Sequence, residues 1–152
     1  MSRRDQIRMT DDEVAEFLAG SHTLQVASLN RDGTPHLVAM FYAVDNGRIG
    51  FWTYAKSQKI LNLRRDPRIT VMVETGKAYE ELKGVTINGR ARLVDDRDQV
   101  IAFGELMYPR YFGELNDAAR AGVAMTGQKR IVVMVEPLKT VSWDHTKLGG
   151  TY

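Results

Sequence analysis

The sequence predicts a mainly β domain with short helices, its strands mostly antiparallel and closed or partly closed into a barrel. Two observations predict it. Short runs of alternating or β-branched residues recur along the chain, and turn signals, Asp32-Gly33 and Asn46-Gly47, join neighbours. The helical segments are brief and set between strands. The count is about six strands.

The first element is a helix in "MTDDEVAEFLAG". Thr10 is its N-cap, Glu13 completes a capping box, and Asp11 and Asp12 suit the positive helix start. Val14, Phe17 and Leu18 give it one apolar face, and Gly20 ends it. "HTLQVASL", "PHLVAMFYAV" and "IGFWTYA" follow as three strands of a meander tied by the two turns. A short helix capped by Ser57 buries Ile60, Leu61 and Leu63, and Asp66-Pro67 stops it. "RITVMVETG" and "KGVTINGRARLVDD" are strands, the second bent at Gly89. "DRDQVIAFGELMYPRYFG" reads as a helix broken at Pro109, "ELNDAARAGVAM" as a weaker helix, and "RIVVMVEPLKTVSWD" as the closing strand.

Composition narrows the function. The 152 residues suit one domain, and 43% hydrophobic with 26% charged residues is a folded rather than a disordered balance. A net charge of +2 disfavours a nucleic-acid coat, leaving any basic site to local clustering. There are no cysteines, so disulfides and thiolate metal sites are excluded. His22, His36 and His145 have no metal-ligand spacing. No apolar run suggests a signal peptide or a membrane span, and the expected location is the cytoplasm.

One stretch carries chemistry. In "YAKSQKILNLRRDP", Lys56 and Lys59 fall at a helix start, where the macrodipole disfavours positive charge. A phosphate bound by the helix-start amides, the Ser57 hydroxyl and both lysines would reverse that penalty. The bland alternative is a solvated basic helix, and Arg64 and Arg65, at the favourable end, fit it. Val38-Ala39-Met40 is a small-residue step where a flat ring could lie along backbone, although Ala39 could equally face a crowded core. Trp143, Asp144, His145 and Lys147 form a polar cluster near the chain end, and adjacent residues there point to opposite faces. Tyr54, Tyr108 and His145 are candidate proton donors. Phe51, Trp52 and Tyr54 beside the basic helix would suit base stacking on nucleic acid, a weaker reading because strand aromatics alternate into the core.

The stretch "DGTPHLVAMFYAVDNGRIGFWTYAKSQKILNLRRDPRITVMVE" resembles the FMN-binding split β-barrel family of pyridoxamine 5′-phosphate oxidase. Within it, "KILNLRRDPR" and "SWDHTKLG" are similar to the deazaflavin (coenzyme F-420) dependent reductases. The resemblance implies a single split-barrel domain over residues 1–152, a homodimer with two cofactor sites at its interface, and hydride transfer between the cofactor and a small organic substrate. It implies that Ser57 and Lys59, with Lys56 nearby, hold the cofactor phosphate. The ring would lie on Val38, Ala39 and Met40, with Thr53 and Tyr54 at the strand end. Asn62 and Arg64 would contact a cofactor tail, and Trp143, His145 and Lys147 would approach the partner's site. The phosphate signature Ser-Arg-Lys of pyridoxamine 5′-phosphate oxidase reads Ser57-Gln58-Lys59 here, and its C-terminal Arg-x-His is replaced by "SWDH". These departures weigh against vitamin B6 oxidation and toward coenzyme F-420. FMN is the alternative cofactor, and a non-catalytic flavin or deazaflavin carrier is the alternative role.

Overall fold

The computed structural model describes residues 1–150. Among them seven strands form one antiparallel sheet: β1 (Leu24–Leu29), β2 (Pro35–Met40), β3 (Ala43–Asp45), β4 (Arg48–Tyr54), β5 (Arg68–Thr75), β6 (Lys83–Val94) and β7 (Arg130–Asp144). Five helices accompany them: α1 (Arg3–Gln6), α2 (Asp11–Gly20), α3 (Gln58–Arg65), α4 (Arg97–Phe112) and α5 (Asp117–Gly127). The strand order is β2-β1-β5-β6-β7-β4-β3.

That order forces the sheet to curl. β2 and β3 are its two outermost strands, yet only Phe41 and Tyr42 separate them in sequence. Three Cα steps span at most about 11 Å, so the edges must meet there and the sheet becomes a barrel. The expected three-strand meander is therefore corrected. β2 pairs only with β1 and β3 only with β4, so the "PHLVAMFYAV" run is two strands on opposite edges. The break is held by Tyr42, whose ring is fully buried and whose hydroxyl donates to Leu18 O at 2.5 Å. Its amide donates to the Tyr111 hydroxyl at 3.0 Å.

Two cores result from strand alternation. Leu24, Val26, Val71, Val73, Val85, Ile131 and Val133 fill the barrel, and Phe51 with Ile60 and Leu63 of α3 closes its end. Each such side chain contributes roughly 1.5–3 kcal/mol. On the other face of β4 and β7, Val132 and Met134 pack against Val100, Phe103 and Met107 of α4. Gly104 lets α4 settle onto Trp52, because a Cβ there would stand 2.6 Å from the indole ring. The predicted bend at Gly89 is present as a register shift between Asn88 and Gly89.

Two further expectations need correction. α4 is not broken at Pro109. Proline removes one amide and crowds the preceding turn, but the last turn is anchored from outside. Arg110 donates to Ala19 O at 2.9 Å and Ser21 O at 2.8 Å, and the Tyr111 hydroxyl donates to His22 O at 2.8 Å. Leu61 is half-exposed, so only Ile60 and Leu63 form the apolar side of α3. The Thr10–Glu13 capping box is present in both directions, at 3.2 and 2.7 Å.

The end of β7 clasps the start of the chain. Asp144 N donates to Ile7 O at 2.7 Å, and Lys147 Nζ reaches Arg8 O at 2.8 Å and the Glu13 carboxylate at 2.6 Å. Burial alone would raise the Asp144 carboxyl pKa. Hydrogen bonds from Thr146 and Lys83 outweigh it and hold the group below the ordinary aspartate value. A carboxyl depressed in the fold stabilises it above its unfolded pKa and loses that contribution as pH falls through the folded value. Stability should therefore decline below about pH 4, with Asp144→Asn removing part of that acid-side slope in denaturation curves taken from pH 3 to 7. Separately, Gly104→Ala should cost about 1–3 kcal/mol in chemical denaturation, because Trp52 and Val123 cannot both retreat from the new methyl.

Candidate functional site

The basic helix α3 begins where strand β4 leaves the barrel. Ser57 has N-cap geometry, but its hydroxyl caps no amide and its Oγ is buried without a partner. The expectation that Ser57 caps through its side chain is thus corrected: position and backbone are those of a cap, and the hydroxyl is left over. Lys59 lies in the first turn with only 9% of its surface exposed. Its Nζ donates to Thr53 Oγ1 at 2.9 Å, using one of three donors.

Arg130 completes the corner. It opens β7 opposite Tyr54, and its guanidinium lies 3.9 Å from the centre of the Tyr54 ring. Its Nε is buried and unbonded. Burial lowers the Lys59 pKa, and the neighbouring Arg130 charge lowers it further. No acidic side chain pairs with Lys59 or Arg130 among the described residues. Two cations sharing one corner without a carboxylate carry an electrostatic penalty that an anion would relieve.

This corner opens into a cleft of about 1080 Å³. Ala39 and Met40 of β2, with Trp52 and Thr53 of β4, form one side. α4 and α5 form the other, through Met107, Tyr108, Gly122 and Val123 among others. Arg130 and Thr53 both line the cleft, and Lys59 adjoins it through its hydrogen bond to Thr53.

The structure brings some of the sequence-predicted residues together and separates others. Ala39, Met40, Thr53 and Tyr108 line the cleft, while Val38 packs toward the barrel interior. Tyr54 is half-exposed under Arg130, and Lys56 and Arg64 are exposed beside α3. Asn62 is fully buried, and its amide is already engaged by Ser28, Asn30 and Gln58 at 2.9–3.1 Å, so in this protomer it braces α3 against β1. Trp143, His145 and Lys147 sit at the far end of β7 from Arg130, roughly 40 Å along the strand. Trp143 lies over Gly84, the Nδ1 of His145 is 2.8 Å from Tyr79 O, and Lys147 belongs to the clasp. These three do not meet the cleft of their own chain. His36 is half-buried on β2 with an unpartnered Nδ1, and His22 packs edge-on against Phe41 and Tyr111.

Sequence reasoning missed Arg130 and the wall made by α4 and α5. The first stands alone at the start of an apolar strand, and only the β4–β7 register brings it to Tyr54. Small residues at Gly104, Ala119 and Gly122 were the available signal for the second. Among the described residues no group of His, Asp or Glu could hold a metal ion, and no helix is long and apolar enough to cross a membrane.

Comparison with known proteins bears on the family and the fold. The family model described as pyridoxamine 5′-phosphate oxidase matches residues 10–142. A solved structure of a conserved hypothetical protein from Mycobacterium tuberculosis is 39% identical with a TM-score of 0.94, covering 100% of this chain and 95% of that one. An F-420 reductase shares the fold at 24% identity and a TM-score of 0.63, over 82% of this chain and 93% of that one. The heme storage protein of Vibrio cholerae shares it at 22% identity and a TM-score of 0.65, over 86% and 93%. No curated protein sequence matches the chain. A curled antiparallel sheet closed by a two-residue crossing, together with a family match over nearly its whole length, establishes that this chain belongs to the pyridoxamine 5′-phosphate oxidase family and has its split-barrel fold.

Proposed function

We propose that the protein is a coenzyme F-420 dependent oxidoreductase acting on a small organic substrate. The observation that carries this reading is Lys59, a buried lysine whose ammonium is bonded only to Thr53, near enough to Arg130 to feel its charge, two residues from the orphaned Ser57 hydroxyl and adjoining a large apolar cleft through Thr53. That donor set fits a phosphate, and the adjoining cleft fits the flat ring of a phosphate-bearing cofactor. The cofactor supplies the two-electron hydride chemistry. The chain's own residues do the rest. Lys59, Arg130 and Ser57 hold the phosphate, with Lys56 nearby. β2 is an edge strand, so every second residue along Val38–Met40 turns its backbone N–H and C=O away from β1, where they have no strand partner and can bond the edge of a ring. Trp52, Met107 and Val123 exclude water, and of the candidate proton donors Tyr108 is the one on this lining.

The exposed Lys56 and Arg64, neither in an ion pair among the described residues, favour coenzyme F-420 over FMN, because a polyanionic tail would run past them. FMN remains the second reading, since the phosphate corner serves either cofactor. A carrier that binds without turnover is the third.

A homodimer completes the reading. The outer face of β2, β1, β5, β6 and the later half of β7 carries Leu37, Ala27, Met72, Val141 and Trp143. Leu37 is 67% exposed, and the Gln25 Oε1 on that face is buried without a partner. Ala39 lies at the border of this face and the cleft, so a partner docked there would bring its Trp143, His145 and Lys147 segment toward the cofactor.

Lys59→Met should weaken coenzyme F-420 binding by about 10- to 100-fold, the worth of a charge-assisted hydrogen bond of ~1.5–3 kcal/mol. The same variant should raise the melting temperature of the cofactor-free protein by removing a buried charge. Fluorescence titration and thermal unfolding read the two effects, and unchanged affinity would remove the phosphate assignment. Affinity for the wild type should fall at alkaline pH as Lys59 loses its proton at a pH below the ordinary lysine value. In sedimentation velocity the wild type should be a dimer and Leu37→Asp should shift it toward monomer; a monomeric wild type would overturn the dimer reading.

A further inference from the structure

Arg97 stands where an arginine is unfavourable. It is the first residue of α4, at the positive end of the helix dipole. Asp95, Asp96 and Asp98 flank it, yet it forms no ion pair with them or with any other acid among the described residues. Its guanidinium bonds main-chain carbonyls instead. Nη1 donates to Gly127 O, and Nη2 donates to Arg130 O at 3.1 Å and to Asp95 O at 3.3 Å.

Two of those carbonyls bracket one turn. α5 ends at Gly127 and β7 begins at Arg130, so only Gln128 and Lys129 carry the chain from helix to strand. The last carbonyls of a helix lack partners within it, and a cation there caps them. Capping α5 accounts for the bond to Gly127 O. It does not account for the bond to Arg130 O, which lies past the helix, in the next element. The turn is also held from its other side, where Ala55 N donates to Lys129 O at 3.1 Å. It is thus fixed between the start of α4 and the loop that leads from Tyr54 to Ser57 and Lys59.

Arg130 depends on that support. Its Nε is buried without a partner, it is in no ion pair among the described residues, and its guanidinium rests on the Tyr54 ring. Where the guanidinium points is therefore set by the ring face and by the backbone that carries it.

We propose that Arg97 is a positioning residue for the phosphate corner: by holding the carbonyls on both sides of the Gln128–Lys129 turn, it fixes the backbone from which Arg130 reaches the anion. The inference rests on the reading that Lys59 and Arg130 hold a cofactor phosphate. Arg97 itself touches no ligand. Its five donors in a rigid fork suit it to grip two carbonyls at once, which the single ammonium of a lysine does less well.

The test is fluorescence titration of the cofactor-free protein with coenzyme F-420 and, separately, with its deazaflavin riboside, which lacks the phosphate. Arg97→Gln should weaken coenzyme F-420 binding about five- to tenfold and change riboside binding by less than about twofold. Arg130→Gln should weaken coenzyme F-420 binding at least as much. The double variant should lose no more than Arg130→Gln alone, because a residue that acts through Arg130 then has nothing left to position. Arg97→Lys should recover part of the loss, and it carries the same comparison if the glutamine variant does not fold. A lowered melting temperature with coenzyme F-420 affinity unchanged would reduce Arg97 to a cap of α5 and overturn the inference. Losses that add in the double variant, or that fall equally on the riboside, overturn it too. If Lys59→Met and Arg130→Gln weaken coenzyme F-420 binding and Arg97→Gln does not, the inference fails alone. If none of the three does, the phosphate assignment fails and the inference with it.

Discussion

The two-residue passage from Met40 to Ala43 is the constraint on which the rest of the molecule depends. It joins the outermost strands of a seven-stranded sheet and leaves no geometry except closure. Closure gives the barrel its single apolar interior and brings β2 and β4 together on the lining of one cleft. Tyr42 secures the passage. Its ring is buried, its hydroxyl holds Leu18 at the end of α2, and Arg110 lies 4.7 Å over its face. One buried tyrosine thus ties the first long helix, the barrel seam and the end of α4 together.

The cationic corner is the complementary case, in which local stability is given up. An apolar side chain at position 59 would carry no cost of burying a charge. Instead the chain buries an amine, places Arg130 near it and supplies a threonine hydroxyl as its partner. An arrangement that is unfavourable in the empty protein and favourable around an anion is what supports the proposed phosphate site. The same corner explains why lysines stand at the unfavourable end of α3.

Much of this fold was legible in the sequence, and the failures have physical causes. Alternation and turn residues located β1, β4, β5, β6 and β7, because half-buried strands leave a period-two pattern. The break at Phe41–Tyr42 left no such mark: both residues continue an apolar run, and only contacts with α2 and α4 turn the chain there. Pro109 misled for a similar reason, since the bonds of Arg110 and Tyr111 that hold the last turn are to residues some ninety positions away. At the candidate site, Lys59 stood out at a helix start and Ala39 on a small-residue step, while Thr53 entered only through the family resemblance. Arg130 was not, because its partner Tyr54 comes from strand register. Asn62 read as a polar contact on a basic helix and proves to be a buried brace, a difference that depends on which face of α3 meets β1.

The central claim is that Lys59 is a charged group held ready for a phosphate. It is tested most directly by following the Lys59 side-chain resonance through a pH titration by NMR, with and without saturating coenzyme F-420. In the cofactor-free protein the ammonium should lose its proton below the ordinary lysine value, and on binding its pKa should rise. A pKa that stays where it was when the cofactor is bound would place the phosphate elsewhere and contradict the account.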